Sequence, residues 1–139
     1  MRNWTFLRFA ALWLTIFLAG GILFGCASKD DGESFREARF AYTLNGGDPF
    51  QTNLNGNAKK FLQTKIVIEI SNEKMLEVFT EKDYKVCDAV LLELRTLTEE
   101  QLKEADIQSV LGQSLINKIN EAMDTDTVKN VYFKSFVVA

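Results

Sequence analysis

Few side chains in this sequence of 139 residues could carry catalytic or metal chemistry. It contains no histidine, which removes the commonest general base and the commonest metal ligand. The two cysteines, Cys26 and Cys87, are too few and too far apart for a zinc site, and we expect free thiols rather than a disulfide. No serine–lysine pair lies beside a glycine-rich oxyanion loop, and no phosphate-binding glycine motif occurs. The sequence therefore predicts no enzyme and no cofactor.

One acidic pair has the spacing of a calcium-binding loop. Asp124 and Asp126 stand two residues apart, as the first two ligands of such a loop do. The glycine and the closing glutamate that would complete the loop are missing. A solvated loop is the simpler interpretation, and no metal site is expected.

The charge distribution argues against nucleic acid as a partner. Arg2 and Arg8 are the basic residues that precede Lys29, and no acidic residue precedes it. From Lys29 onward the chain has 14 basic and 19 acidic residues, a net charge of −5. The phosphate backbone of a nucleic acid repels an acidic domain.

Residues 9–27 form an uncharged apolar run of 19 residues. As a helix this run would be about 28 Å long, close to the thickness of the hydrocarbon layer of a bilayer. Arg2 and Arg8 precede the run and acidic residues follow it, so the positive-inside rule predicts that residues 1–8 are a cytoplasmic tail. We therefore expect one transmembrane anchor, a tether of residues 28–39 and an exterior C-terminal domain.

An alternative to the uncleaved anchor depends on Cys26. Residues 23–26 (LFGC) resemble a lipobox, the sequence that is cut before a lipid-modified cysteine, although Phe24 is larger than the side chain usual at its position. A cleavable signal normally has a shorter apolar region than this one. The uncleaved helix is our first interpretation, and a lipoprotein carrying lipid on Cys26 is the second. Both attach the chain to the lipid bilayer.

Period-two alternation predicts antiparallel strands after the tether. It occurs at residues 40–44 and 50–54, which the turn sequence NGGDP separates, and again at 61–70 after a second turn, NGN. One face of the last strand would carry four aliphatic side chains: Leu62, Ile66, Ile68 and Ile70.

Spacings of three and four residues predict helices in the next part of the chain. A short helix is expected at residues 73–79, and the longest at 106–123, with one apolar row: Ile107, Leu111, Leu115, Ile119 and Met123. Between them another helix is expected, whose apolar spacing is carried by Val86, Val90, Leu91, Leu94 and Leu97. Asp88 would be its N-cap or an acid of its first turn. Cys87 would lie on the apolar side of this helix. Thr98 and Gln101 form a capping box, which is a specific signal for the start of a helix.

The last segment, residues 128–138 (VKNVYFKSFVV), is predicted to be a strand with two apolar faces. Strict alternation places Val131, Phe133 and Val137 on one face. The opposite face would carry Tyr132, Phe136 and Val138. Such a strand is usually central in its sheet, or its second face meets a partner. Strands followed by helices and a final strand predict an α+β fold.

In this order and spacing, the segments resemble those of the flagellar basal-body-associated FliL family. The resemblance runs from the apolar anchor through the motifs QTNL (51–54), FLQTKIVIEI (61–70), DAVL (88–91), LINKIN (115–120) and NVYFKSFV (130–137). The positions that carry it are Asn53, Leu54, Asp88, Asn120, Tyr132, Phe133 and Phe136. The chain departs from the family where Ile107 replaces a common glycine and where Gly112 is out of register.

The resemblance implies more than the residue patterns do. It implies a single-pass inner-membrane protein whose periplasmic domain, residues 40–139, is similar to stomatin (SPFH-type) domains. It also implies a non-enzymatic accessory of the flagellar motor that associates with stator subunits at the basal body and supports rotation, swimming, swarming and chemotaxis. A homo-oligomeric ring around the stator would use Tyr132, Phe136 and Val138 as its interface. The alternative, supported by Cys26 alone, is an envelope lipoprotein with a generic scaffold or ligand-binding role.

Overall fold

The structure is a computed structural model that describes residues 37–139. The predicted tail (1–8), with Arg2 and Arg8, and the predicted anchor (9–27), with Cys26, lie outside the described residues. Within the described range no helix has the length and apolarity needed to cross a membrane.

Four strands and three α-helices make up the described part of the chain. Strands β1 to β3 come first, then helices α1 to α3, then strand β4, which confirms the predicted α+β class. The strands are β1 Phe40–Thr43, β2 Phe50–Leu54, β3 Asn57–Ile70 and β4 Val128–Val138. The helices are α1 Met75–Glu81, α2 Asp83–Leu94 and α3 Ile107–Met123, with short 3₁₀ turns at Leu44–Gly47 and Gln101–Lys103.

Strand β3 is the centre of an antiparallel sheet. Val67 pairs with Thr43 of β1 on one side and with Tyr132 of β4 on the other. Strand β2 pairs with the first half of β3, so β1 and β2 lie end to end along the same side. The predicted NGGDP turn interrupts them, and its Asn45 adopts a left-handed φ of 55°, which asparagine tolerates better than most residues. Among the described residues β4 pairs only with β3, so it is an edge strand.

The predicted aliphatic face of β3 forms the core. Leu62, Ile66, Ile68 and Ile70 are each at most 1% exposed, which confirms the prediction. The buried Thr64 shares this face, and its hydroxyl donates a hydrogen bond of 2.7 Å to the Ser135 carbonyl oxygen. Helices α2 and α3 supply most of the buried side chains that join this core, namely Val86, Val90, Leu94, Ile107, Leu111, Leu115 and Ile119.

The start of helix α2 differs from the prediction. Asp88 was expected at the N-cap or in the first turn, but the helix begins at Asp83 and Asp88 is an exposed residue in its middle. The apolar spacing reveals only the buried face of the helix. The first turn, which precedes Val86, does not contribute to that spacing, so the sequence pattern does not show where the helix begins. Leu97 lies beyond the end of the helix and is buried all the same.

The predicted capping box forms, but it starts only a short turn. The Thr98 N–H donates to Gln101 Oε1 at 2.9 Å, and the Gln101 N–H donates to Thr98 Oγ1 at 3.3 Å. The turn that follows is the 3₁₀ segment Gln101–Lys103, and the long helix α3 begins four residues later at Ile107.

A bulge in β4 makes part of its predicted facing wrong. Ser135 pairs with Lys65 and Phe133 pairs with the next residue, Ile66, so Lys134 is the extra residue. Beyond the bulge the alternation is inverted. Phe136 pairs with the buried Thr64 and faces the core instead of sharing a face with Tyr132.

The same inversion changes the facing of the two valines. Val137 turns to the side away from the helices, whereas Val138 pairs with Leu62 and lies on the core side. Alternation cannot reveal a bulge, because the bulge depends on the partner strand.

Candidate interaction surfaces

Asn120 joins the end of α3 to the start of β4. Its Nδ2 donates to the Val128 carbonyl oxygen at 3.1 Å, and its Oδ1 accepts from the Val128 N–H at 3.0 Å. Its own carbonyl oxygen accepts from the Thr125 N–H at 2.9 Å, while Asp124 ends the helix in a left-handed conformation with φ 50°. Asn120 therefore fixes the direction in which the last strand leaves the helix.

Asn53 and Leu54 hold the β2–β3 hairpin. The Asn53 Nδ2 donates to the Ala58 carbonyl oxygen at 2.9 Å, and Leu54 is 4% exposed. The next residue, Asn55, donates its N–H to the Leu97 carbonyl oxygen at 2.8 Å, which fastens the hairpin to the segment after α2.

The carboxylate of Glu99, which the sequence analysis did not single out, also holds this end of the domain. Glu99 Oε1 lies 2.6 Å from Lys60 Nζ and 3.3 Å from Lys103 Nζ, and Asn57 Nδ2 donates to Glu99 Oε2 at 3.2 Å. The hydrogen bonds from Lys60 and then Lys103 lower the pKa of Glu99 to about 2. Its partner Lys60 lies 39 residues away in the chain, so no local spacing could predict the cluster.

Cys87 belongs to a second polar cluster, centred on Asp83. The thiol donates to Asp83 Oδ2 at 3.3 Å, and the Tyr42 hydroxyl donates to Asp83 Oδ1 at 3.3 Å. Burial, followed by the hydrogen bond to Asp83, raises the pKa of the Cys87 thiol to about 11. Cys87 also packs against the core as predicted, so the arrangement keeps it a protonated, poorly nucleophilic thiol.

The sheet face that points away from α2 and α3, here called the outer face, is the first candidate interaction surface. Tyr132 is 48% exposed and Val137 is 49% exposed on it. The Tyr132 hydroxyl donates to Glu69 Oε2 at 3.1 Å, and Asn130 Nδ2 donates to the same oxygen at 2.7 Å. The hydrogen bond to Glu69 raises the pKa of the Tyr132 hydroxyl. The face thus presents apolar side chains, one of them an oriented aromatic ring.

The second candidate surface is a groove of about 620 Å³ between α2 and α3, here called the α2–α3 groove. Its lining residues come from both helices and from Thr96, just beyond the end of α2; those on the helices are Lys85, Asp88, Ala89, Leu92, Glu93, Lys118, Glu121 and Ala122. Asp88, which the sequence placed at a helix start, is therefore part of a surface depression instead.

No three histidine, cysteine, aspartate or glutamate residues within 37–139 are close enough together to hold a metal ion. Asp124 caps α3, and Asp126 follows it in the connection to β4.

A family model described as flagellar basal body-associated protein FliL matches residues 43–138. The chain belongs to the FliL family. A relative named Flagellar protein FliL, from Aquifex aeolicus (strain VF5), is 25% identical over 91 residues, which are 65% of this chain and 56% of that protein. The chain therefore spans about half the length of that relative. The resemblance predicted from the sequence is confirmed.

Most of the positions that carry the FliL resemblance serve the fold of the domain. Asn53 and Asn120 make side-chain hydrogen bonds to the backbone, and Leu54 is buried. Phe133 and Phe136 pack edge to face with ring centroids 5.4 Å apart, against the core. Three of the positions are exposed: Asn53 in the β2–β3 hairpin, Tyr132 on the outer face and Asp88 at the α2–α3 groove.

Proposed function

We propose that this FliL-family protein is a membrane-anchored, non-enzymatic accessory of the bacterial flagellar motor. In this proposal it associates with stator units at the basal body and supports rotation, swimming and swarming. The observation that carries the proposal is the family match, which extends over residues 43–138 and includes all the helices and strands β2 to β4. The proposed mode of action is binding, for which the outer face offers exposed apolar side chains.

Deletion of the gene tests this role. We expect reduced swimming or swarming in cells that still assemble filaments, and recovery when the intact gene is returned. Normal motility in both liquid and viscous media would contradict the proposed motor function. Loss of the filaments themselves would also contradict it, because it would indicate a role in export or assembly.

The proposed topology places the domain in the periplasm. We expect the fold of this domain to be similar to that of stomatin (SPFH-type) domains. Arg2 and Arg8 before residues 9–27 support this orientation, since basic residues flank the cytoplasmic side of a membrane helix. An alkaline phosphatase fused after Ala139 should be active in cells. Activity of a cytoplasmic reporter alone at that position would reverse the orientation.

We also propose that copies of the domain associate with one another in a ring around the stator. Tyr132 and Val137 are the residues of the outer face that support this, and Val138, 41% exposed, lies close by on the other face of β4. Phe136 is less suitable than the sequence suggested, because it packs on the core side. A shared membrane would hold all copies in one orientation and raise their effective concentration.

Crosslinking in cells tests the ring with a matched pair of variants. The wild-type protein should give a ladder of homomers together with stator subunits, and Val137→Lys should shorten that ladder. Val110→Lys, at a residue of α3 that is 57% exposed, is the control and should leave the ladder unchanged. A wild-type protein that remains monomeric in membranes would rule out the ring.

A further inference from the structure

We propose that the hydroxyl groups of Thr64 and Ser135 fix the register in which the end of β4 pairs with β3. The register in turn decides which side chains of β4 lie on the outer face. The claim about the register is independent of the flagellar role. Its consequence for association rests on the proposed ring, because Val137 of the outer face supports that contact.

Apolar burial chooses this register only weakly. A shift of pairing by one residue exchanges the two faces of a strand, so burial fixes a register where one face is apolar and the other polar. The end of β4 is apolar on both faces: without the extra residue Lys134 it would shift by one position, and Val137 would face the core in place of Phe136 and Val138. Among the described residues β4 pairs only with β3, so the shift would disturb no other strand.

Two hydroxyl groups make hydrogen bonds at the bulge. The Thr64 hydroxyl, on a completely buried side chain, donates to the Ser135 carbonyl oxygen at 2.7 Å. The Lys65 N–H donates to Ser135 Oγ at 3.1 Å. Both bonds join a side chain to the backbone of the opposite strand, and both involve the residue that follows the extra Lys134. Backbone groups left without a partner inside a sheet cost free energy, so the two hydroxyls stabilise the bulged pairing.

The shifted register would break the two bonds that Ser135 makes and would add an unfavourable pair. Lys134 would then lie opposite Lys65, and like charges that face each other across two strands are destabilising. Phe136 would also leave the core side, where its ring packs edge to face on Phe133 with centroids 5.4 Å apart. The hydroxyls therefore add to a preference that burial alone leaves small.

The register determines the composition of the outer face. In the bulged register Val137 lies on that face, 49% exposed, together with Tyr132. A shift would replace this valine by Phe136 and Val138, which present a larger apolar surface of a different shape. Thr64, although completely buried, is thus a positioning residue for the surface that the proposed ring would use.

Cross-strand disulfides in the full chain report the register. Phe61 and Ala139 exchange backbone hydrogen bonds of 2.9 Å and 3.1 Å, whereas the shifted register would place Val138 opposite Phe61. The variant Phe61→Cys with Ala139→Cys therefore reports the bulged register, and Phe61→Cys with Val138→Cys reports the shifted one. The Cα atoms of such opposed pairs lie about 5.5 Å apart, a separation that a disulfide spans. Linked peptides from monomeric chains are identified by mass spectrometry, so Cys26 and Cys87 need no replacement.

The ratio of the bulged to the shifted linkage is then measured in threonine variants. Without a further substitution, the linkage of 61 to 139 should dominate. Thr64→Val keeps the shape of the side chain and removes the hydroxyl, so it should lower the ratio about fivefold, the effect of one hydrogen bond. Thr64→Ser keeps a hydroxyl and should retain the ratio. The matched control is Thr52→Val, at a buried threonine of β2 whose hydroxyl donates to the neighbouring Asn53 carbonyl oxygen, and it should leave the ratio unchanged.

Ser135→Ala supplies a second measurement and keeps the proposal testable if Thr64→Val does not fold, because Ser135 is partly exposed. It removes the acceptor of the Lys65 N–H and should lower the ratio by a similar factor. The linkages form within one chain, so the result does not depend on the ring or on the motor role. Equal yields before any further substitution, a ratio that Thr64→Val or Ser135→Ala leaves unaltered, a loss with Thr64→Ser, or an equal loss with Thr52→Val would each overturn the proposal.

Discussion

Asn120 gives the sharpest test of how the domain is held together. The variant Asn120→Ala removes the two hydrogen bonds that its side chain makes to Val128, at 3.1 Å and 3.0 Å. Val128 is 1% exposed, so water cannot easily replace the lost partner. The start of β4 would then lose its direct tie to α3.

The expected loss of stability follows from those two bonds. Each contributes about 0.5–1.5 kcal/mol, which together give roughly 1–3 kcal/mol. Alanine is the better helix former and returns about 0.5 kcal/mol. The net decrease in the free energy of unfolding should therefore be about 1.5 kcal/mol. For a domain of this size the thermal midpoint should fall by about 6–12 °C.

Urea denaturation of a fragment containing residues 37–139, followed by far-ultraviolet circular dichroism, measures this loss. The matched control is Asn117→Ala, which makes the same substitution at an exposed position of the same helix. The control should stabilise the fragment by about 0.5 kcal/mol, which is the gain in helix propensity alone. If Asn120→Ala is no more destabilising than Asn117→Ala, the proposed role of the amide is wrong.

Three further predictions follow from the polar clusters and from Gly112. The pKa of the Cys87 thiol is raised from 9.0 to about 11, so less of it is thiolate near pH 8 than in an ordinary thiol. Alkylation of Cys87 at that pH should therefore be slower than that of an ordinary thiol, by about a hundredfold. Asp83→Asn should accelerate it, as peptide mass spectrometry would show; an unchanged rate would contradict the role of the carboxylate. Because the pKa of Glu99 falls from 4.5 to about 2, its stabilising contribution should be complete above pH 4.5 and be lost as the pH approaches 2. Glu99→Gln should flatten the dependence of the urea midpoint on pH in that window, and an unaltered slope would count against it. Gly112→Ala should stabilise the fragment by up to about 1 kcal/mol, because alanine favours the helix more than glycine does. The added Cβ fits, since it would lie at an ordinary contact distance of 3.9 Å from the Phe133 ring. A lower thermal midpoint for this variant would show that the space around Gly112 is too small for a methyl group.

The parts of the fold that the sequence predicted are those in which burial repeats with a fixed period. The face of β3 from Leu62 to Ile70 and the apolar row of α3 needed only their own spacing to be recognised. Asp88 and Phe136 were misplaced because their positions depend on features outside the local pattern. Asp88 lies in the middle of α2 because the helix begins with a polar turn that the apolar spacing does not mark. Phe136 faces the core because Lys134 is an extra residue in the pairing of β4 with β3, and this inverts the alternation after it.

The candidate surfaces were harder to foresee than the fold, for a related reason. Tyr132 could be singled out as one residue of a strand with two apolar faces, but its exposure depends on β4 being an edge strand. The α2–α3 groove requires Ala89 and Ala122, which are 33 positions apart, to line the same depression. An alanine in the sequence does not indicate whether the space beside it will be filled or left open in the folded domain.

The arrangement of the two layers has a consequence for assembly. Helices α2 and α3 cover one face of the sheet, so the outer face with Tyr132 and the groove with Leu92 lie on opposite sides of the domain. In the proposed ring, a neighbour on the outer face would leave the α2–α3 groove accessible. Because the completely buried core between the layers holds both surfaces in place, binding at one need not alter the other.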